Sequence, residues 1–171
     1  MEYLIVLMRL LHILSGVLWA GAVFTLSFFL LPAINALGAS GGKMMQQFVK
    51  TNNYPLVMSL AATTNILSGI FLYWHLSYGF MSDWILSNYG VCLTAGGLSA
   101  IVAFVIGISV NLPGGKRMQQ IAKEIEVSGG TPTGVQIKEM TAIKNRMTLS
   151  TNYIAYLLLF TVATMAIARY S

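Results

Sequence analysis

The chain has 171 residues, 56% of them hydrophobic and 9% charged, with a net charge of +5 and a mean hydropathy of +0.72. A water-soluble domain carries roughly 25% charged residues, so the composition excludes an ordinary globular protein and points to an integral membrane protein. The positive balance calls for no nucleic acid, because in such proteins Lys and Arg mark the cytoplasmic connections and meet anionic lipid headgroups.

Four stretches are apolar over about 20 residues, the length that crosses a hydrocarbon core roughly 30 Å thick. They run approximately over Tyr3–Leu31, Tyr54–Tyr78, Tyr89–Leu112 and Met147–Ala168. The expected fold is therefore all-α, a four-transmembrane-helix bundle in one domain. Span 1 is longer than a secretory h-region, and no convincing cleavage site follows Gly16, Trp19 and Ala20-Gly21, so it is expected to be retained. It is expected to end near Pro32. Beyond Gly38, Gly41 and Gly42, the apolar positions between Lys43 and Lys50 recur at helical spacing and predict a short interfacial helix. Pro55 suits the first turn of span 2. Cys92, the single cysteine, falls in span 3, which excludes an intramolecular disulfide and a thiolate metal cluster.

Pro113-Gly114-Gly115 is expected to break the run after span 3. Met118, Ile121, Ala122 and Ile125 then repeat at i, i+3, i+4 and i+7 among Lys116, Lys123, Glu124 and Glu126, which predicts an amphipathic cytoplasmic helical connection between spans 3 and 4. In the turn Ser128–Gly134, Thr131 and Pro132 read as N-cap and first residue of a new helix. Met140, Ile143 and Met147 continue one face, which lets that helix run without interruption into span 4. No internal repeat is evident.

Lys43 and Lys50 fall between spans 1 and 2, and Lys116, Arg117, Lys123, Lys138, Lys144 and Arg146 between spans 3 and 4, so eight of the ten basic residues share one side. That side is expected in the cytoplasm, with both termini and the Gly79–Asn88 loop outside.

Chemistry concentrates on the two histidines. His12 lies inside span 1, where a titratable ring is costly and marks a functional site by default. The topology puts His75 in the same outer leaflet, His12 about 12 Å below the start of its helix and His75 about 5 Å from the exit of its own. A b-type haem between facing helices would take His12 as one axial ligand and His75 as the second. Around His12, Gly16 at i+4 leaves room for a flat ring, Trp19 at i+7 can wall it, and Arg9 at i−3 can pair with a propionate. Arg169, Tyr3, Tyr78 and Tyr89 belong to the same outer level. The plainer alternative is a histidine that hydrogen-bonds a neighbouring helix, with Gly16 and Ala20-Gly21 as packing positions and the aromatic residues as an interfacial belt. Asn65, Ser68-Gly69, Gly96-Gly97, Ser99, Thr151 and Asn152 are expected to act as interhelical glue. Met8, Met58 and Met165 stand one per helix at unrelated depths, not as the grouped soft ligands that copper(I) prefers. No acidic residue falls inside a predicted span, which argues against a carboxylate proton relay or a cation-coupled transporter. Nucleotide loops, catalytic triads, zinc signatures and the attached c-type haem motif are absent from the sequence.

The order Arg9, His12, Trp19, Ala20-Gly21 resembles the opening of copper-resistance-D-like membrane domains and of small bacterial membrane protoporphyrinogen oxidases. Over the whole chain, Ala100–Gly107, Ser128-Gly-Gly-Thr-Pro132 with Glu139-Met140, and Thr164–Tyr170 resemble an uncharacterised family of four-helix bacterial membrane proteins. The oxidase resemblance implies a haem-binding or porphyrin-handling histidine at position 12, although span 3 has no intramembrane Lys to complete such a site. The copper-family resemblance implies a metal-handling domain. The uncharacterised family implies the fold and a bacterial inner-membrane location. The leading expectation is a haem b protein for electron transfer or porphyrin handling. The alternatives are a cofactor-free accessory subunit that binds a larger membrane complex or further copies of itself, a porphyrin-oxidising enzyme, and a copper-handling protein.

Overall fold

The computed structural model describes residues 2–51 and 53–171, with all of their side chains except those of Ala39 and Lys50. Lys50, one of the basic residues of the first connection, thus has its side chain outside the described part. Among the described residues there are six helices and no strand: α1 Glu2–Ala36, α2 Gly38–Thr51, α3 Tyr54–Leu76, the short α4 Ser82–Ile85, α5 Asn88–Val127 and α6 Gly134–Ile167. The fold is all-α. Helices α1, α3, α5 and α6 are long and apolar enough to cross a membrane, and they match the four expected spans except that span 2 ends at Leu76 rather than Tyr78 and span 4 at Ile167 rather than Ala168. The helix expected between Lys43 and Lys50 is present as part of α2, and the connection after span 3 joins span 4 through an unbroken α6, as its periodicity suggested.

Three further expected boundaries fall elsewhere. Helix α1 does not end near Pro32, nor does Pro113-Gly114-Gly115 break α5. A proline ring collides with the carbonyl four residues earlier and has no N–H to donate. Both helices accommodate it by widening into one π-turn, Leu26–Leu30 in α1 and Gly107–Asn111 in α5. There the Leu31 N–H donates to the Leu26 carbonyl and the Leu112 N–H to the Gly107 carbonyl, after which the α-helix resumes with proline in its first turn, where no donor is needed. The N-cap of α6 is Thr133 and not Thr131. A capping box needs Glu or Gln three residues on. Thr133 has Gln136, whose Oε1 accepts the Thr133 N–H at 2.9 Å while Thr133 Oγ1 accepts the Gln136 N–H at 3.3 Å; Thr131 has only Gly134.

The long helices pack mainly as two antiparallel pairs, α1 with α3 and α5 with α6, and α1–α6 and α3–α5 contacts close the ring. The shared core comprises Trp19 and Val23, Ala61 and Ala62, Ala103, and Ile154, Ala155 and Leu158. Small residues bring the second pair close. A methyl added at Gly96 would lie 2.6 Å from Thr164 Oγ1 and 3.3 Å from the Thr161 carbonyl. Thr161 Oγ1 donates to the Gly96 carbonyl at 3.0 Å, and Ser99 Oγ to the Leu157 carbonyl at 2.9 Å. Large apolar side chains such as Ile13, Leu14, Val17, Leu98 and Val102 lie exposed on the outside.

Gly97 has no neighbour within 4 Å of an added methyl. Gly96→Ala is therefore expected to destabilise by about 1–3 kcal/mol through overpacking, whereas Gly97→Ala does not. Thermal unfolding of both variants in detergent, side by side, checks the contrast.

Candidate functional site

His12 and Asn65 form the most developed polar contact between α1 and α3. The half-buried His12 ring places Nδ1 2.9 Å from the backbone carbonyl oxygen of Asn65, while Asn65 Nδ2 donates to the His12 carbonyl at 2.8 Å. Asn65 Nδ2 also lies 3.3 Å from His12 Nδ1. The shorter contact decides the tautomer. A bare Nδ1 would direct its lone pair at the carbonyl lone pair, so Nδ1 carries the proton and donates, and in the neutral ring Nε2 keeps an unshared pair.

Glycines make the pairing possible. His12 and Gly16 are four residues apart on one face of α1, as are Asn65 and Gly69 on α3. In the antiparallel pair each polar side chain lies across the other helix's glycine. A methyl at Gly69 would fall 2.9 Å from His12 Cε1, and one at Gly16 would fall 2.7 Å from Asn65 Nδ2. Asn65, only 7% exposed, is thus both packed and hydrogen-bonded.

The structure brings some of the expected site residues together and separates others. Gly16 lies beside His12, but Asn65 fills the space it leaves. Trp19 is a core residue, 5% exposed, with its ring edge-to-face against Phe104 at a centroid distance of 6.5 Å. Arg9 and Arg169 are exposed, and the ion pairs among the described residues all involve Arg117. His75 is exposed in the last turn of α3 and lines a cleft of about 340 Å³ with Trp74, Leu76, Tyr78 and Gly79. It stands six residues beyond Gly69, about 9 Å along the axis and two thirds of a turn around it, so it does not share the His12 site. Among the described residues no group of three or more His, Cys, Asp or Glu side chains is placed to hold a metal ion.

A second polar cluster lies at the basic end: Thr151 and Asn152 join helices as expected, whereas its other members, Ser27, Asn111 and Ser150, were not legible in the sequence. Ser27, in the π-turn of α1, donates to Asn152 Oδ1 at 2.7 Å. Asn111, in the π-turn of α5, donates from Nδ2 to Thr151 Oγ1 at 3.3 Å and accepts from Ser150 Oγ. Both π-turns therefore meet one three-residue stretch of α6, Ser27 at Asn152 and Asn111 at Ser150 and Thr151. The signal available was the Leu-Pro pair that follows each turn. Similarly, the partnership of His12 with Asn65 was announced only by a polar residue and a glycine at the same four-residue spacing in two helices.

Compared with protein-family models, curated proteins and solved structures, the chain matches none of them.

If His12 and Gly69 interlock as described, Gly69→Ala destabilises by about 1–3 kcal/mol in the otherwise unchanged chain. In a His12→Ala background, where the obstructing ring is gone, the same change costs less than about 0.5 kcal/mol. A double-mutant cycle on unfolding in detergent measures the difference.

Proposed function

We propose that this chain is an integral membrane four-helix bundle with its basic connections in the cytoplasm and both termini outside, and that His12 is an axial ligand for haem b. Two features support the membrane placement. Small and polar residues such as Ala103, Asn65 and Ser99 share the interior with Trp19, Ile154 and Leu158, while many large apolar side chains such as Ile13, Val17 and Leu98 face outward, the distribution expected where lipid is the solvent. Eight of the ten basic residues belong to the two connections at one end.

The observation that carries the haem reading is the 2.9 Å contact between His12 Nδ1 and the Asn65 carbonyl. Ligating histidines characteristically donate the other ring N–H to a carbonyl or carboxylate, which fixes the tautomer and orients the ring. Asn65 does this for His12, and Nε2 makes no hydrogen bond among the described residues. The donor set thus fits one axial ligand. With Gly16 and Trp19 engaged in packing and His75 displaced along α3, the reading is of single-histidine ligation, with Arg9 and Arg169 free to meet propionates. When bound, haem supplies one-electron chemistry or an open iron position for a small ligand.

A second reading, a cofactor-free subunit of a larger membrane complex, is favoured by the closeness of the interlock, in which His12 and Asn65 occupy the space over Gly69 and Gly16.

The full chain, purified in detergent from haem-replete cells, is expected to show a Soret band and a reduced-minus-oxidised difference spectrum. His12→Ala abolishes both, and His75→Ala leaves them in place. A folded chain with no Soret band rejects haem binding and leaves the subunit reading. Loss of the band in His75→Ala rejects the single-histidine form.

A further inference from the structure

At the basic end, where α5 and α6 leave the apolar part of the molecule, they enclose a cleft of about 270 Å³ whose lining includes Val110, Arg117, Glu139, Ile143, Arg146 and Met147. Glu139, Ile143, Arg146 and Met147 recur at the spacing of one face of α6. The helices approach closely alongside, since a methyl at Gly114 would fall 2.9 Å from Met147 Sδ. Arg117 is paired with two carboxylates: its Nε donates to Glu139 Oε1 at 2.7 Å, Nη2 to Glu139 Oε2 at 3.0 Å and Nη1 to Glu124 Oε1 at 3.0 Å. Arg146 is exposed and makes no ion pair among the described residues. The lining therefore carries one net positive charge, and the cation without a carboxylate stands next to Met147, where the apolar segment of α6 begins.

We infer that this cleft holds the phosphodiester headgroup of an anionic glycerophospholipid, with Arg146 as its countercharge and Val110, Ile143 and Met147 against the glycerol and first acyl carbons. The inference rests on the membrane placement proposed above and is independent of haem. Basic clefts between helices on the cytoplasmic side suit such headgroups. Free phosphate would satisfy the charge but leave the apolar walls uncovered, which favours the lipid.

The test uses the full chain in a non-ionic detergent, titrated with phosphatidylglycerol, phosphatidylcholine or inorganic phosphate, with bound lipid counted by native mass spectrometry and thermal unfolding followed in parallel. Phosphatidylglycerol is expected to be retained in preference to phosphatidylcholine. Arg146→Gln weakens its binding about fivefold, the effect of one basic side chain near a headgroup. Lys144→Gln, the same charge change outside the cleft lining, weakens it less than about twofold. Equal loss in both variants, equal retention of the two lipids, or stabilisation by inorganic phosphate to the same degree overturns the site. A chain that stays folded and monodisperse without detergent overturns the membrane placement instead.

Discussion

Carrying an imidazole and a carboxamide into an apolar helix interface costs several kcal/mol unless each finds a partner. Helices α1 and α3 meet this constraint twice over. His12 gives its Nδ1–H to a carbonyl of α3, Asn65 gives an amide hydrogen to a carbonyl of α1, and each rests on a glycine of the opposite helix. A Cβ at either glycine would push the helices apart and break the bond beside it. The arrangement fixes the register of the first helix pair and, with it, the level at which Trp19 and Val23 enter the core. It also determines the chemistry of the imidazole, because the nitrogen turned toward Asn65 is committed to donating and only Nε2 remains for anything else.

The same economy of small and polar contacts governs the opposite end. A proline within each of two long helices follows a π-turn, and each π-turn delivers one polar side chain, Ser27 or Asn111, to the stretch Ser150–Asn152 of α6. π-turns shift the angular position of every residue that follows them. Here they let α1 and α5 continue past their prolines as regular helix and keep α5 long enough to reach the Arg117–Glu139 pair. The two helix pairs thus use one device, a π-turn followed by Leu-Pro, at matching places, although the sequence shows no repeat around it.

What the sequence revealed followed from strong local signals. Apolar runs located the four long helices, amphipathic spacing located α2 and the connection between α5 and α6, and isolated polar groups such as Asn65 and Ser99 were identifiable as contacts between helices. Boundaries were less legible. Pro32 and Pro113 look like stops because a proline in an α-helix removes a bond, and nothing in the sequence shows that a wider turn will absorb it. Thr131 looked like a cap because Pro132 follows, yet Gln136 is placed to complete a box with Thr133. The site was hardest to read, because the register between two helices depends on both at once. Gly16 reads as an opening beside His12 until Asn65 is seen to fill it, and Trp19 reads as a wall until Phe104 is found against it.

The protonation of a single ring nitrogen tests the central claim most directly. In the full chain carrying His75→Gln, with histidine labelled in both ring nitrogens, the ¹⁵N spectrum of His12 should show a protonated Nδ1 correlated with the Asn65 carbonyl and, in the neutral ring, an unprotonated Nε2. A bare Nδ1 with the proton on Nε2 would contradict the interlock and remove the nitrogen on which the ligand proposal depends.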